Sequence, residues 1–384
     1  MKIGINALFF QQPATGSAQY MIHLLAALAE VDQQNEYVLL GAQPIKAEQH
    51  PAFPYQVWPV PGIISNRENI EKLIWEQLTG PAAAREAGVD VFHVPYFAPP
   101  LLPRTPTVVT IHDVIPLRLP LYQAGAKVKA YMKLVSQAAH NATRIITVSQ
   151  HAKQDMVDAL KIPPERIRVI YEAAGEEYRP ITDTETLARV RARYGLGERY
   201  VFYLGGLDQR KNVPQLVRAF SHLYRRLEDP RLQLLVSGNP DKNNGPLFPD
   251  PRPVGAELGM SGQIIYRFVE EEDKAALYSG ASVFVFPSLY EGFGLDPLEA
   301  MSCGAPVVCS NRTSLPEVVG DAALTVDPED LDTLVEAMYR VLTDQQLAAD
   351  MRARSLQRAA QFSWRKAAQE TLSVYEEVYK STRK

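Results

Sequence analysis

The chain has 384 residues, 46% hydrophobic and 22% charged, with a net charge of −4. This length predicts two or three domains of ordinary size, and the composition excludes disordered, fibrous and collagenous proteins. The weak negative charge gives no reason to expect a nucleic-acid partner, and the two cysteines, Cys303 and Cys309, allow no disulfide framework, so we expect a reducing compartment.

The first predicted element is a β-strand at the amino terminus. Residues 2–8 are mostly apolar, and Gln11, Gln12 and Pro13 follow where a signal peptide would carry a small-residue cleavage site. No stretch reaches the roughly 18 consecutive apolar residues of a membrane-spanning helix. We therefore expect a cytoplasmic protein without a signal peptide or a transmembrane helix.

Short apolar runs then alternate with helical stretches along the whole chain. The predicted strands are residues 2–8, 37–40, 89–94, 107–112, 144–148, 168–170, 200–204, 232–237, 263–268, 281–287, 306–309 and 323–326. The predicted helices include residues 18–30, 126–140, 150–160, 213–227, 271–279, 330–342 and 364–379. Such alternation predicts an α/β fold of parallel sheets covered by helices on both faces.

A domain boundary is predicted near residue 180, where an acid-rich loop segment interrupts the alternation. The predicted domains are residues 1–180 and 181–363, followed by a carboxyl-terminal helix in residues 364–384. Each domain contains enough strands for one doubly wound, Rossmann-like sheet. Two such sheets facing each other would place the carboxyl ends of their strands, where ligands bind in open α/β folds, around a shared cleft.

Two residues of the first domain, Gly16 and His112, lie near the carboxyl ends of predicted strands. Gly16 lies in a turn between the first strand and the first helix, and His112 ends the strand of residues 107–112. Both positions therefore belong to an edge where ligands bind. Each also has a purely structural explanation, a tight turn for Gly16 and a packed or surface histidine for His112.

Residues 114–154 contain no acidic side chain and six basic ones. Within them, residues 126–140 have the pattern of a basic amphipathic helix. Such a helix suits an anionic membrane surface, where each Lys or Arg contributes about 1 kcal/mol. A solvated helix face explains the same pattern equally well.

Two cations follow a strand that ends in glycines in the second domain. Gly206 closes that strand, and Arg210 and Lys211 directly precede the helix of residues 213–227. Because a helix amino terminus favours anions, this placement is unfavourable unless an anion is bound there. A guanidinium fork and an ammonium together suit a diphosphate, whereas an isolated Arg-Lys pair is more often found on a solvated turn.

A second glycine loop carries two glutamates. Glu291 precedes Gly292-Phe293-Gly294, and Glu299 lies one turn into the helix that we expect to begin at Asp296-Pro297. A glycine loop at a helix amino terminus suits a phosphate or sugar hydroxyls. Glu299 could instead complete a capping box with Asp296, while Glu291 has no such explanation.

These motifs together resemble the retaining glycosyltransferases of family 4. Glu291 and Glu299 match the E-x7-E pattern of that family. The remaining matching segments are Gly16, His112-Asp113, Ile146-Thr147-Val148-Ser149, Arg210-Lys211-Asn212 and residues 314–323. The resemblance therefore spans most of the chain, and the order of the motifs is more specific than any single one.

The resemblance implies the GT-B fold, in which two Rossmann-like domains face a cleft and the second binds most of a nucleotide-sugar donor. Lys211 and Arg210 would hold the donor diphosphate and stabilise the leaving group. Glu299 would accept hydrogen bonds from the ribose, and Glu291 from hydroxyls of the transferred sugar. The final helix, residues 364–379, would pack back toward the first domain.

The resemblance also assigns residues that shape the donor site. Backbone N–H groups of Gly292, Phe293, Gly294 and Leu295 would bind sugar and phosphate. His112 would lie near C6 of the donor sugar. Gly16 would let the first loop approach the diphosphate, and Gly206 would also border the donor.

The chain departs from the family pattern at one place. Many relatives carry an arginine directly after the strand-ending glycine, where this chain has Leu207 after Gly206. The phosphate clamp would then rest on Arg210 and Lys211 alone. Asp330-Leu331-Asp332 matches the D-x-D motif of metal-dependent transferases. Because this segment lies at the start of a predicted helix, we interpret it as a helix cap and expect no catalytic metal.

The amino-acid sequences of these motifs most resemble those of bacterial mannosyltransferases of surface-polysaccharide assembly. The expected donor is GDP-mannose, with no further cofactor, and the expected acceptor is a saccharide or a lipid-linked saccharide. The anomeric configuration would be retained without an enzymic base, because the leaving phosphate oxygen would take the acceptor proton. Residues 126–140 would give peripheral contact with the inner face of the plasma membrane.

Two other functions use the same fold. A nucleotide-sugar epimerase would act on the donor without an acceptor, and a catalytically silent protein would only bind nucleotide sugars. In a catalytically silent protein we would expect the charged residues of the donor site to be lost. In this chain Glu291, Glu299 and Lys211 are all present.

Overall fold

The computed structural model describes residues 1–12, 15–45, 51–60, 68–123, 125–238, 240–241 and 245–383. The chain forms two compact units, one of Met1–Glu172 with Ser363–Lys384 and one of Ala173–Phe362. The sequence placed the boundary after residue 180. The structure divides the chain earlier because Tyr178 is buried in the core of the second unit and donates a hydrogen bond to Glu271.

The first unit contains a parallel sheet of seven strands, in the order β3-β2-β1-β4-β5-β6-β7. The strands are β1 (Lys2–Asn6), β2 (Glu36–Gly41), β3 (Tyr55–Val57), β4 (Val91–Val94), β5 (Thr107–Thr110), β6 (Arg144–Thr147) and β7 (Ile167–Val169). The order reverses between β1 and β4, which is where ligands bind in open α/β sheets. The sequence missed β3, a three-residue edge strand whose last two residues are exposed.

The second unit contains a parallel sheet of six strands, in the order β10-β9-β8-β11-β12-β13. The strands are β8 (Tyr200–Tyr203), β9 (Gln233–Ser237), β10 (Ile264–Arg267), β11 (Val283–Phe286), β12 (Val307–Ser310) and β13 (Leu324–Val326). All six were predicted, because each is a short run rich in apolar residues, and β8, β9, β11 and β12 are almost fully buried. Here the order reverses between β8 and β11.

Helices surround each sheet. They are α1 (Gly16–Val31), α2 (Glu68–Ile74), α3 (Gly80–Glu86), α4 (Ile115–Arg118), α5 (Ala126–Ala139), α6 (Gln150–Leu160), α7 (Thr184–Tyr194), α8 (Val213–Leu227), α9 (Arg252–Glu257), α10 (Glu271–Gly280), α11 (Leu295–Ser302), α12 (Leu315–Val319), α13 (Leu331–Thr343), α14 (Gln345–Ala359) and α15 (Trp364–Ser381). A π-helical segment, Trp75–Thr79, joins α2 to α3. None of the helices in the described ranges is long and apolar enough to cross a membrane.

Alternating residues of β2, β4, β5 and β6 in the first unit face two separate cores. Val108 of β5 contacts the core that includes α1 and α15, whereas its neighbour Val109 faces the core on the other side. This burial on both faces explains why the strands read as continuous apolar runs. The final helix, α15, buries Val374 and Tyr375 in the same core as Tyr20 of α1.

Candidate functional site

The two charged motifs of the second unit follow neighbouring strands. Arg210 and Lys211 lie in a short 3-10 helix between β8 and α8, and Glu291 lies in the loop between β11 and α11. Because β8 and β11 pair in parallel where the strand order reverses, their carboxyl ends bring both loops together. The two motifs therefore form one site.

Glu291 joins the two cations. Its Oε2 lies 2.7 Å from Nη1 of Arg210, and its Oε1 lies 2.9 Å from Nζ of Lys211 and accepts a 2.6 Å hydrogen bond from Ser288. Burial acts to raise the pKa of Glu291, but the charges of Lys211 and Arg210 outweigh it and hold this pKa below its ordinary value. Glu291 is therefore an ionised, fully paired carboxylate.

Two further carboxyl groups contact the cations. Asp296 lies 3.4 Å from Nζ of Lys211, and Asp208 lies 3.1 Å from Nε of Arg210. Lys211 is only 6% exposed, and its ammonium also lies 4.5 Å from the ring centre of Phe286. The interpretation of the pair as a solvated turn is therefore wrong. A bound anion is also not needed to relieve the helix dipole, because the chain supplies its own counter-charges.

Glu299 is buried deeper in the same site. Its Oε2 accepts a 3.2 Å hydrogen bond from the hydroxyl of Tyr278. Burial, reinforced by the nearby charge of Asp296, raises the pKa of Glu299 well above its ordinary value. Burial also raises the pKa of Asp296, and Lys211 offsets this only in part. Glu291 is thus a strongly paired carboxylate, whereas Asp296 and Glu299 resist ionisation.

The capping-box explanation of Glu299 is wrong. Helix α11 begins at Leu295, and its N-cap is Gly294, so Pro297 is the third helical residue and Glu299 lies beyond the capping position. Gly294 has a φ of +124°, and a Cβ there would lie 2.7 Å from Cδ2 of Leu315. Only glycine fits this conformation and this space, and the first helical residue is Leu295 instead of the predicted Pro297.

Ser314 fixes the glycine loop. Its hydroxyl oxygen lies 3.0 Å from the carbonyl oxygen of Glu291 and 2.5 Å from that of Phe293. The backbone N–H of Glu291 donates to Thr313 at 3.0 Å. The backbone from Glu291 through Gly292 to Phe293 is therefore held in one orientation by the segment that precedes α12.

The predicted residues of the first unit lie at its own carboxyl edge. Gly16 is the first residue of α1, capped by Thr15, and the position of its missing Cβ has no atom within 4 Å. His112 follows β5, with Nδ1 3.0 Å from Oε1 of Glu172 and its ring 4.7 Å from that of Tyr20. His112 is thus neither a simple core histidine nor an unpaired surface one.

Several residues of the site were missed from the sequence. Asp208 and Asp296 contact the cations, Ser288 donates a hydrogen bond to Glu291, and Glu172 contacts His112. The available indications were positional, since Asp208 and Glu172 both follow strands at a carboxyl edge. Gly206, which was predicted, accepts a 2.6 Å hydrogen bond at its carbonyl from Tyr203.

The D-x-D segment has the predicted structural role. The side chain of Asp330 caps α13 by accepting a 3.1 Å hydrogen bond from the backbone N–H of Thr333. Within the described ranges, no group of three or more His, Cys, Asp or Glu side chains is arranged to hold a metal ion. Cys303 and Cys309 are buried free thiols.

Comparisons with known proteins agree with this fold and show the family. A family model described as "Glycosyl transferases group 1" matches residues 189–358, and one described as "Glycosyltransferase Family 4" matches residues 14–174. The O-antigen chain mannosyltransferase B of Escherichia coli is 36% identical over 297 residues, which cover 76% of each chain. The chain belongs to the family 4 glycosyltransferases, as predicted.

A second mannosyltransferase is similar in sequence, and a solved glycosyltransferase structure is similar in overall fold. The serotype-specific mannosyltransferase WbdA of Escherichia coli is 33% identical over 263 residues, which cover 67% of this chain but only 32% of WbdA. The crystal structure of Anabaena HepE with UDP-glucose superimposes with a TM-score of 0.74 at 20% identity, covering 97% of this chain and 100% of HepE. The predicted GT-B fold is confirmed, and neither an epimerase nor a silent binding protein is favoured.

Proposed function

We propose that this glycosyltransferase moves mannose from GDP-mannose to a saccharide or lipid-linked acceptor in surface-polysaccharide assembly, with retention of configuration and without a metal ion. The observation that carries the proposal is the buried arrangement of Arg210, Lys211 and Glu291 where β8 meets β11. The similarity to two mannosyltransferases, one of them named for the O-antigen chain, supports mannose and the polysaccharide.

The cations would bind the donor diphosphate. The ammonium of Lys211 has three N–H donors, and two of them face Glu291 and Asp296. A phosphate oxygen can take the third. Negative charge develops on the diphosphate as the bond to the sugar breaks, so a fixed and largely desolvated ammonium stabilises the transition state more than the ground state. These cations supply the charge that a metal ion supplies in metal-dependent transferases.

The carboxyl groups would bind hydroxyls of the donor. Glu299 resists ionisation while its main partner is Tyr278, and hydroxyl groups of a ribose that donate to it would favour the charged form. Glu291 would accept hydrogen bonds from the transferred sugar. Gly16, His112 and the loop from Gly292 to Leu295 keep the donor-binding roles predicted from the resemblance.

A pocket of about 420 Å³ lies further along the same edge, beyond β9 and β10. Phe268, which is 64% exposed, lines it together with Tyr266 and Gly238. An exposed aromatic ring offers a flat apolar face on which a nucleobase can stack. This pocket supports a nucleotide as part of the donor.

Retention would follow from attack on the same face of the sugar that the diphosphate leaves. The acceptor oxygen bonds to C1, the bond from C1 to the phosphate oxygen breaks, and that phosphate oxygen takes the acceptor proton. The pairing of Glu291 with two cations supports this route, because an ion-paired carboxylate with a lowered pKa is a poor base and a poor nucleophile.

Helix α5 would contact an anionic membrane at the inner face of the plasma membrane. Lys127, Lys129 and Lys133 are exposed, and Val128 between the first two is 39% exposed. Met132, one turn after Val128, is buried. Exposed cations around a small apolar residue suit the interface of an anionic bilayer, where lipid-linked acceptors are found.

The donor is tested by thermal unfolding with GDP, UDP, ADP and their sugar conjugates. GDP and GDP-mannose should stabilise the wild-type protein most, by about 2.7 kcal/mol at a hundredfold excess over Kd. Lys211→Ala should lose most of this stabilisation, while Lys380→Ala, an exposed lysine of α15, should keep it. Equal stabilisation of both variants, or stabilisation by UDP or ADP alone, would refute the proposed site or donor.

A further inference from the structure

Two oxygen atoms face the two ring nitrogens of His112. Nδ1 lies 3.0 Å from Oε1 of Glu172, and Nε2 lies 3.3 Å from the carbonyl oxygen of Pro95. A carbonyl oxygen and an ionised carboxylate can only accept hydrogen bonds. A neutral imidazole has one N–H and one lone pair, so either tautomer would leave a lone pair facing an oxygen. The doubly protonated imidazolium satisfies both contacts.

We propose that Glu172 is a positioning residue that keeps His112 as an imidazolium, whose Nε2–H is the donor offered to a ligand at this edge of the sheet. The contact of Nε2 with Pro95 is the longer of the two, so an oxygen of a ligand can replace that carbonyl while Glu172 keeps its hold on Nδ1. The identity of that ligand as the nucleotide-sugar donor rests on the proposed function. The charge state of His112 is independent of the proposed function.

The ring of His112 is fixed from several elements. Tyr20 of α1 meets it edge-on, with ring planes at 83°, and the hydroxyl of Tyr20 lies 3.2 Å from Oγ1 of Thr110 on β5. Pro95 follows β4, and Glu172 follows β7. The imidazole therefore has little freedom to turn toward other partners.

The charged and titratable groups around His112 favour the cation on balance. Burial alone lowers the pKa of His112, but Glu172 outweighs it, with a smaller contribution from Asp113, so the pKa is raised. Burial keeps the phenol of Tyr20 neutral by raising its pKa. His93 on β4 is also neutral, because burial lowers its pKa to about 3, so it does not oppose a positive charge.

The charge state is tested by ¹⁵N NMR of protein labelled at histidine, titrated from acidic to alkaline pH. The resonances of His112 are assigned by their loss in His112→Gln. In the wild-type protein both ring nitrogens of His112 should show imidazolium shifts at neutral pH. In Glu172→Gln the proton affinity of His112 should fall about tenfold or more, whereas Glu165→Gln, an exposed control, should leave it unchanged.

A neutral tautomer of His112 in the wild-type protein at neutral pH would overturn the proposal, even if Glu172→Gln failed to fold. An unchanged titration of His112 in a folded Glu172→Gln would overturn it as well. Donor turnover gives a second readout: in Glu172→Gln it should decline at lower pH than in the wild type as pH rises. Absence of any turnover in the wild type, with the NMR result as expected, would refute the proposed function and leave this inference standing.

Discussion

Two buried carboxyl groups, Glu291 in the second unit and Glu76 in the first, differ in their partners, and this difference decides their charge. Glu291 has two cations within 3 Å, and its pKa is lowered. Glu76, in the π-helical segment of the first unit, is 1% exposed, has Lys72 3.7 Å away and accepts a 3.0 Å hydrogen bond from Tyr131. Burial raises its pKa to about 7. One weak cation contact does not offset burial, whereas two close ones do.

Glu76→Gln should change how stability depends on pH. Between pH 4.5 and about 7 the folded protein holds a proton on Glu76 that the unfolded chain releases, so Glu76 lowers the free energy of unfolding as pH rises through this window. In Glu76→Gln the free energy of unfolding does not fall in this way. The free energy of unfolding of the variant minus that of the wild type should therefore increase from acidic to alkaline pH by up to about 3 kcal/mol.

Urea unfolding of both proteins at pH 4.5 and pH 8 measures the effect of this substitution. Glu86→Gln, at an exposed position of α3, is the control and should show no such trend. A difference between Glu76→Gln and wild type that is the same at both pH values would contradict the assignment.

At the scale of elements, the sequence predicted best where a single physical rule dominates. In the second unit β8, β9, β11 and β12 are almost fully buried, and their continuous apolar runs located them. Shorter apolar runs also located β10 and β13, which are less buried. The start of α11 was misplaced because Gly294 acts through its backbone conformation and its contact with Leu315, and neither appears in a local pattern. The edge strand β3 was missed because exposed residues carry no apolar pattern.

The exposed cations of α5 make a prediction about this helix as a unit. Lys127→Gln, Lys129→Gln and Lys133→Gln combined should lower partition to phosphatidylglycerol-containing vesicles about a hundredfold, because each lysine near the surface contributes about 1 kcal/mol. Arg365→Gln, Lys366→Gln and Lys380→Gln, all exposed on α15, form the control set. Vesicle flotation checks the result. Flotation that is unaffected by anionic lipid, or by the α5 substitutions, would exclude this surface.

At the scale of the whole molecule, two parallel sheets each reverse their strand order once, and each reversal creates an edge for ligands. The resemblance to family 4 placed Arg210, Lys211 and Glu291 at one donor site, while the sequence itself predicted both sheets from local patterns. It could not find Asp296 or Glu172 as partners, because such pairings depend on how loops that are distant in sequence meet at an edge.

The transfer reaction itself tests the central claim most directly. The protein is incubated with GDP-mannose and a synthetic α-mannoside carrying a lipid tail, and the anomeric configuration of the product is read by NMR. We predict a new α-linked mannose, formed equally well in EDTA by the wild-type protein and by Lys380→Ala, and not formed by Lys211→Ala. A β-linked product, dependence on a metal ion, or transfer from UDP-glucose but not from GDP-mannose would contradict the account.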